Sequence, residues 1–310
     1  MDKRLKINII IPVFNDWDCL KILVGNIHRE LAQDTDFRIF AINDCSTIDF
    51  PQETFAQFNH FEVVHLTRNM GHQKAISIGI SYITEHEECD AVIVMDADGE
   101  DRPQDLPKLI EKFKTENKIV FAKRNKRQES LTFRFFYHIY KYSFLLLVGK
   151  EISFGNYCII PYKSLKVLAH VSEIWNHFSG GVIRSKLPYT AIPLDRGKRL
   201  SGTSKMNFVA LVIHGISSYT VYLEVVVVRL LILLGILIAI SIISSITVVS
   251  LRLFTNLAIP GWATYTMLGL ILIILQAFFV MLHLAMTVLH YRTQRLFIPA
   301  LHYKNYIKIS

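Results

Sequence analysis

Between Leu230 and Leu251 the chain reads LLILLGILIAISIISSITVVSL, 22 residues without a charge. Coiled as a helix, such a run is about 33 Å long, and the hydrocarbon core of a bilayer is roughly 30 Å thick. The stretch from Trp262 to Leu289 is uncharged too, with Gln276 and His283 as its strongest polar interruptions. Core helices of soluble proteins seldom need apolar runs of this length. Two membrane-crossing helices are therefore expected, against the plainer alternative of a helical hairpin buried in a large soluble core. Hydrophobic residues make up 51% of the 310-residue chain, and their excess sits in this last third.

Lysine and arginine bias sets the orientation of such spans. Arg292, Arg295, Lys304 and Lys308 follow the second run with no acid among them, whereas only Arg252 borders the loop between the runs. Two crossings return the chain to its starting side, so the large N-terminal part and both termini are expected in the cytoplasm. The opening MDKRLKINIIIPVFND has a basic start, but its apolar part is short and holds a proline, which reads as a strand and not a signal peptide. A formal net charge of +8 suits a protein lying against anionic lipid. A nucleic-acid partner is not expected, because no basic helix with base-reading spacing occurs. Cys19, Cys45, Cys89 and Cys158 lack CxxC spacing, which points to a reduced compartment and away from zinc. The histidines are scattered and form no HExxH.

The N-terminal part alternates strand and helix signals. KINIIIPVF, FRIFAIND, FEVVHLTRN, DAVIVMD and KIVFAKR read as strands, while Cys19 to Leu31, HQKAISIGISYITE and RPQDLPKLIEKFKTE read as helices. Unbroken apolar strands alternating with helices predict an α/β fold whose parallel sheet is covered on both faces. Ligands of such sheets bind at the carboxyl ends of the strands. That rule lines up Asn15 and Asp16, Asn43 and Asp44, Arg68 and Asn69, and Asp96 and Asp98 along one rim. Residues 131–149, LTFRFFYHIYKYSFLLLVG, predict a helix that touches lipid or covers the site, or one packed inside. Residues 205–224, KMNFVALVIHGISSYTVYLE, predict an interfacial helix leading into the first span.

The stretch VIVMDADGEDRPQDLP, residues 92–107, sets Asp96, Asp98, Glu100 and Asp101 within six positions. Like charges so close repel unless a cation lies among them. In extended chain residues i and i+2 point the same way, so Asp96 and Asp98 share a side, with Glu100 close behind. Such an oxygen-rich turn suits Mg2+ or Mn2+, which take one or two carboxylates and complete their shell with substrate phosphates. A solvated acidic turn is the alternative, since a lone DxD is common by chance. Position favours the metal. The turn follows an apolar strand, lies on the rim, and precedes a helix whose start Pro103 and Pro107 stiffen.

IIIPVFND, INDCSTID, LTRNMGHQKAISIG, MDADGEDRPQDLP and RLSGTSKM occur in the order shown by family 2 glycosyltransferases of the GT-A fold. The chain resembles that family over most of the part preceding the apolar runs. More narrowly, it is similar to the polyprenyl-phosphate glycosyltransferases, the type that includes dolichol-phosphate mannose synthase and the bactoprenol glucosyltransferases. The resemblance implies a Rossmann-like, mostly parallel GT-A sheet with helices on both faces, followed by a two-helix transmembrane hairpin. It implies that Pro12, Asn15 and Asp16 end the first strand at the nucleotide pocket and that Asp44 binds the base or ribose. Arg68, Asn69, Gly71 and Gln73 would form the turn beside the nucleotide sugar. Asp96 and Asp98 would hold the metal on the diphosphate; Glu100 is expected to join them by its place in the acidic turn and not by the resemblance. Arg199, Ser204 and Lys205, from RxxGxSK, would close over the phosphates, and Asp96, Asp98, Arg199 and Lys205 would make up the catalytic set.

Two departures accompany the resemblance. Relatives carry leucine and glutamine after the DxD, where this chain has Gly99 and Glu100. GNYCIIPYKSL replaces a glycine-aspartate-phenylalanine-arginine pattern, so Asn156 stands for an acid and Cys158 for an arginine whose role would pass to Lys123, Arg124 or Arg134. The expected division is a cytoplasmic catalytic domain over 1–204, an interfacial amphipathic helix over 205–225, two spans within 226–291 and a basic cytoplasmic tail over 292–310. The implied activity is inverting transfer of a hexose from a nucleotide diphosphate sugar, a UDP-sugar favoured, to polyprenyl (undecaprenyl) phosphate at a bacterial inner membrane. The alternative is a family 2 enzyme glycosylating a hydroxyl of a glycan or lipid-linked oligosaccharide, with Asp98 or Asp101 as base. Nucleotide sugar, polyprenyl phosphate and membrane are the partners expected, with homo-oligomerisation left open.

Overall fold

Lys6–Val13 forms the first strand, β1, and every residue after Lys6 is buried. A strand apolar at consecutive positions has to be covered on both faces, and the rest of the domain supplies that cover. The computed structural model describes residues 4–31, 35–124, 131–150, 154–201, 208–255, 261–294 and 296–308. After β1 come α1 (Trp17–Leu31), β2 (Asp36–Asn43), the short α2 (Gln52–Phe55), β3 (Phe61–His65), α3 (His72–His86) and β4 (Ala91–Val94). They are followed by α4 (Leu106–Glu116), β5 (Ile119–Arg124), α5 (Leu131–Val148), β6 (Cys158–Pro161), α6 (Tyr162–Leu168), α7 (Phe178–Arg184) and β7 (Tyr189–Leu194). The remainder is helical: α8 (Phe208–Thr220), α9 (Leu223–Phe254), α10 (Trp262–Thr293) and α11 (Pro299–His302).

The strands form one seven-stranded sheet in the order β3-β2-β1-β4-β6-β5-β7. Its neighbours are parallel except for β6, which runs antiparallel to β4 and β5. The five expected strands are all present. The two that the pattern missed, β6 and β7, each contain a proline, and β6 is only four residues long. Along β1, alternate residues feed opposite cores. Ile9 and Ile11 pack with Leu20, Leu23 and Leu109 of α1 and α4, whereas Ile10 packs with Ile76, Leu165 and Phe178 of α3, α6 and α7.

Residues 296–308, within the basic tail expected over 292–310, are packed and not free of the fold. They pack on the α3 face of the sheet, where Tyr303 is 1% exposed and Phe297, Tyr306 and Ile307 are partly buried. Phe297 and Tyr306 meet Trp175 at ring-centroid distances of 4.1 and 5.5 Å. Tyr303 donates its hydroxyl to Glu85, and Lys304 pairs with the same carboxylate. Beside the edge strand β3, Thr67 N–H donates to the Tyr306 carbonyl and Lys308 N–H to the His65 carbonyl, with a bridge between Leu66 and Ile307. Counting charges in the sequence hid the aromatic spacing that drives this docking.

The chain divides into two compact units, and 296–310 belongs with residues 1–136 and 152–221. The second unit comprises residues 137–151 and 222–295. In it α9 and α10 pack against each other, and Arg292 near the end of α10 pairs with Glu224 at the start of α9 at 2.8 Å. Arg229 donates to the Leu146 carbonyl at 2.5 Å, capping the last turn of α5. Only 17% and 6% of the most apolar windows of α9 and α10 are buried. Both helices are long and apolar enough to cross a bilayer.

Candidate active site

Because β1, β2, β3 and β4 are mutually parallel, their carboxyl ends open on one edge, as the rim rule requires. Antiparallel β6 brings its beginning, preceded by Asn156 and Tyr157, to the same edge. The two loops after β1 and β2 are knitted together by Asn15, which adopts a positive φ of 55°. Its Oδ1 accepts from the Thr47 and Ile48 N–H groups at 2.8 and 3.0 Å, and its Nδ2 donates to Thr47 Oγ1. Pro12 lies buried within β1, opposite Ile42. Asn15 thus acts first as a brace, whatever else it touches.

Asp44 is 4% exposed, and both carboxylate oxygens are engaged by the turn after β3. Oδ1 accepts from Met70 N–H at 2.6 Å and Oδ2 from Gly71 N–H at 2.8 Å. Burial pushes its pKa up, and these two N–H groups pull it back in part. The carboxylate therefore shapes the turn in which Arg68 and Asn69 stand exposed. Asp44→Ala would orphan two backbone donors at roughly 1–3 kcal/mol each. A fall in thermal stability of that order, without loss of secondary structure, is expected by circular dichroism.

The acidic turn following β4 is ordered from within. Asp101, 5% exposed, accepts the Asp96 N–H at 2.9 Å, and Asp98 Oδ1 accepts the Glu100 N–H at 3.0 Å. Asp98 has its pKa raised by burial and by the neighbouring Asp96 and Glu100 charges, offset by the Glu100 N–H and by Arg199. Arg199 lies across this rim. Its Nη2 meets Asp16 Oδ2 at 2.5 Å and its Nη1 stands 3.5 Å from Asp98 Oδ2, so one guanidinium links the ends of β1 and β4.

His72, at the first position of α3, was not singled out by sequence. Its Nε2 lies 3.1 Å from Asp96 Oδ1 and 3.0 Å from Asn156 Nδ2. Burial would lower its pKa, but the Asp96 carboxylate, supported by Asp101 and Asp98, carries it above the ordinary value. The side chain is still 41% exposed, so solvent screening weakens this effect. Gln73 completes the group by donating to Asn156 Oδ1 at 3.3 Å and accepting Phe178 N–H at 2.6 Å. Asn156, which departs from the family pattern, is therefore tied to the first two residues of α3, and Gln73 carries the link on to the start of α7. Cys158, the second residue of that departure, is wholly buried in the sheet, and its position points into the core. Lys123 is exposed at the end of β5. Ser204 and Lys205, together with the side chains of Arg124 and Arg134, lie outside the described residues.

The donor set fits a hard divalent cation. It is all oxygen, it comes from one strand end, and Asp98 carries the like-charge crowding that a cation relieves. Among the described residues no three His, Cys, Asp or Glu side chains converge into a ready cage. A metal here would take carboxylates from this turn and complete its shell with phosphate and water.

The profile of the family described as Glycosyl transferase family 2 matches residues 8–166, which hold β1 to β6 and the acidic turn. The chain belongs to that family. It is similar to the "Uncharacterized glycosyltransferase YkcC" of Bacillus subtilis, with 24% identity over 89% of this chain and 88% of the relative. A shorter match, 31% identical over 41% of this chain and 39% of the relative, is to the "Undecaprenyl-phosphate 4-deoxy-4-formamido-L-arabinose transferase" of Klebsiella pneumoniae. Among solved structures, glucosyl-3-phosphoglycerate synthase from Mycobacterium tuberculosis, in complex with Mn2+, UDP and glucosyl-3-phosphoglycerate, superposes with a TM-score of 0.51. That likeness, at 15% identity over 73% of this chain and 80% of the other, establishes the fold alone. This family 2 glycosyltransferase has the GT-A architecture that its motifs implied, followed by two long apolar helices.

Proposed function

We propose that this glycosyltransferase moves a hexose from a nucleotide diphosphate sugar, a UDP-sugar favoured, to a polyprenyl phosphate of undecaprenyl type, with inversion. The reading places the enzyme at a bacterial inner membrane with the catalytic unit and both termini in the cytoplasm. The observation that carries it is the acidic turn after β4, bridged by Arg199 to the end of β1, in a chain that also holds two lipid-length apolar helices. Three further points support it. The partial relative from Klebsiella is an undecaprenyl-phosphate sugar transferase by name. Segments before and after the hairpin fold into one unit, as they would if both ends of the hairpin emerged on one side. The neighbour crystallised with Mn2+ and UDP shares the fold.

In this reading Asp96, Asp98 and Glu100 hold Mg2+ or Mn2+, which supplies charge neutralisation to the departing diphosphate. Arg199 adds a second cation at the same place. An acceptor phosphate needs no strong base, because a phosphate monoester with a second pKa near 6 is already mostly ionised at neutral pH. A hydroxyl acceptor would need one, and Asp101 is poorly placed for it, being buried with its Oδ2 on the Asp96 N–H. Of the two candidate bases this leaves Asp98, so the product decides between the acceptors.

Membranes containing the protein, incubated with a panel of labelled nucleotide sugars, should yield a polyprenyl lipid bearing a sugar phosphate bond that dilute acid cleaves. Mass spectrometry of the lipid extract reads the sugar and chain length together. An acid-stable glycoside would instead establish the hydroxyl-acceptor reading. Chelation with EDTA is expected to abolish transfer and added Mn2+ or Mg2+ to restore it. Undiminished turnover in EDTA would remove the metal from the mechanism.

A further inference from the structure

The strap that follows β7, Asp195 to Ser201, is bonded onto the acidic turn by its own backbone. Gly197 N–H donates to the Glu100 carbonyl at 2.8 Å and Leu200 N–H to the Asp98 carbonyl at 2.9 Å. Two glycines permit so close an approach. A Cβ on Gly197 would stand 2.5 Å from the Gly99 carbonyl oxygen. One on Gly99, whose φ of +81° already favours glycine, would stand 2.3 Å from Leu200. Across this contact the strap delivers two guanidinium groups. Arg196 holds Glu100 Oε2 from both Nε, at 2.7 Å, and Nη2. Arg199 faces Asp98 and Asp16 as described above.

Two of the three carboxylates assigned to the metal are thus already matched by cations of the chain itself. The space among Glu100, Asp101, Ala122, Tyr157 and Arg196 is a cavity of about 20 Å³. That is room for about one water and far too little for a diphosphate. A ligand reaches Glu100 from this side only when the strap lifts.

We propose that Arg196, acting through Glu100, is a positioning residue that latches the strap onto the acidic turn as an internal counter-cation, and that the metal-bound diphosphate opens the latch by taking its place. The inference rests on the reading of this rim as a nucleotide-sugar site. It also gives Glu100 a reason. Glu100 adds a charge to the turn, and Arg196 cancels that charge until the donor arrives. Bare metal must compete with both arginines while lacking phosphate ligands to complete its shell. Metal and donor together bring those ligands, and the freed guanidinium groups can turn to the phosphates.

The test is Mn2+ binding to the purified full-length chain in detergent without nucleotide, read from the electron paramagnetic resonance signal of free Mn2+. Arg196→Gln, which bares Glu100, and Gly197→Ala, which props the strap away without altering charge, are each expected to bind Mn2+ roughly tenfold tighter than the unaltered chain. Glu100→Gln combined with Arg196→Gln should return affinity to the unaltered level. If Arg196→Gln does not fold, Gly197→Ala decides. Mn2+ affinity unchanged in the folded variants overturns the latch. Tighter binding in the variants, with no sugar transfer by the unaltered chain, would sink the functional reading and leave the latch standing.

Discussion

Deleting residues 296–310 is expected to unfold the catalytic unit. Tyr303 alone is 1% exposed in the core shared with Phe40, Ile76 and Trp175, and truncating a buried large aromatic typically costs about 3–5 kcal/mol. Phe297, Tyr306 and Ile307 would leave with it, as would the backbone bonds to His65 and Thr67 and the hydroxyl bond to Glu85. Stabilities of single domains lie at about 5–15 kcal/mol, so losing the whole segment consumes most or all of that margin. The sequence alone leads to the opposite expectation, that truncation after Tyr222 leaves a folded domain with weakened membrane retention. The check is a pair of chains. One ends at Val221; in the other a flexible linker replaces residues 222–295 and joins Val221 to Leu296. The first should aggregate or be degraded rapidly, and the second should show a cooperative thermal transition. A stable, monodisperse 1–221 fragment would refute the expectation.

Asp98→Asn should produce the contrary pattern, with the fold kept and turnover lost. The amide oxygen still accepts from Glu100 N–H, so the turn keeps its internal bond. Burial and the Asp96 and Glu100 charges disfavour ionised Asp98, and a neutral side chain relieves that repulsion. Stability should therefore hold or rise slightly. Turnover should drop roughly 100- to 1,000-fold, the usual loss when a charge-stabilising group is removed from a transition state. Thermal unfolding and sugar-transfer rates on the same preparation check both halves. Near-normal transfer with a lowered melting temperature would make Asp98 a structural acid and remove it from the chemistry.

Some of this was legible in the sequence, for identifiable reasons. β1, β2 and β4 are predominantly apolar runs, and strands of a parallel sheet end at its ligand edge, so Asp16, Asp44 and Asp98 could be placed from the sequence. What stayed hidden depends on long-range pairing. β6 is four residues long and ends in proline, and only its neighbours β4 and β5 make it a strand. His72 and Asn156 lie 84 positions apart and meet only because α3 and β6 present their first residues at the same edge. Arg196 left a faint trace in DRGKRLSG, where two arginines flank a glycine just ahead of the phosphate motif. The role expected of Asp44 pointed outward, whereas burial turned both its oxygens onto the chain's own turn.

The segment at 296–308 bears on how the molecule comes into being. Ribosomes make chains from the N-terminus, so both hydrophobic helices are synthesised before the piece that closes the edge beside β3. Until then the turn carrying Arg68 and Asn69 lacks its outer brace. Folding of the unit that bears the acidic turn is therefore expected to reach completion only after both long apolar helices have been made, and a chain halted before residue 296 would be left unfinished.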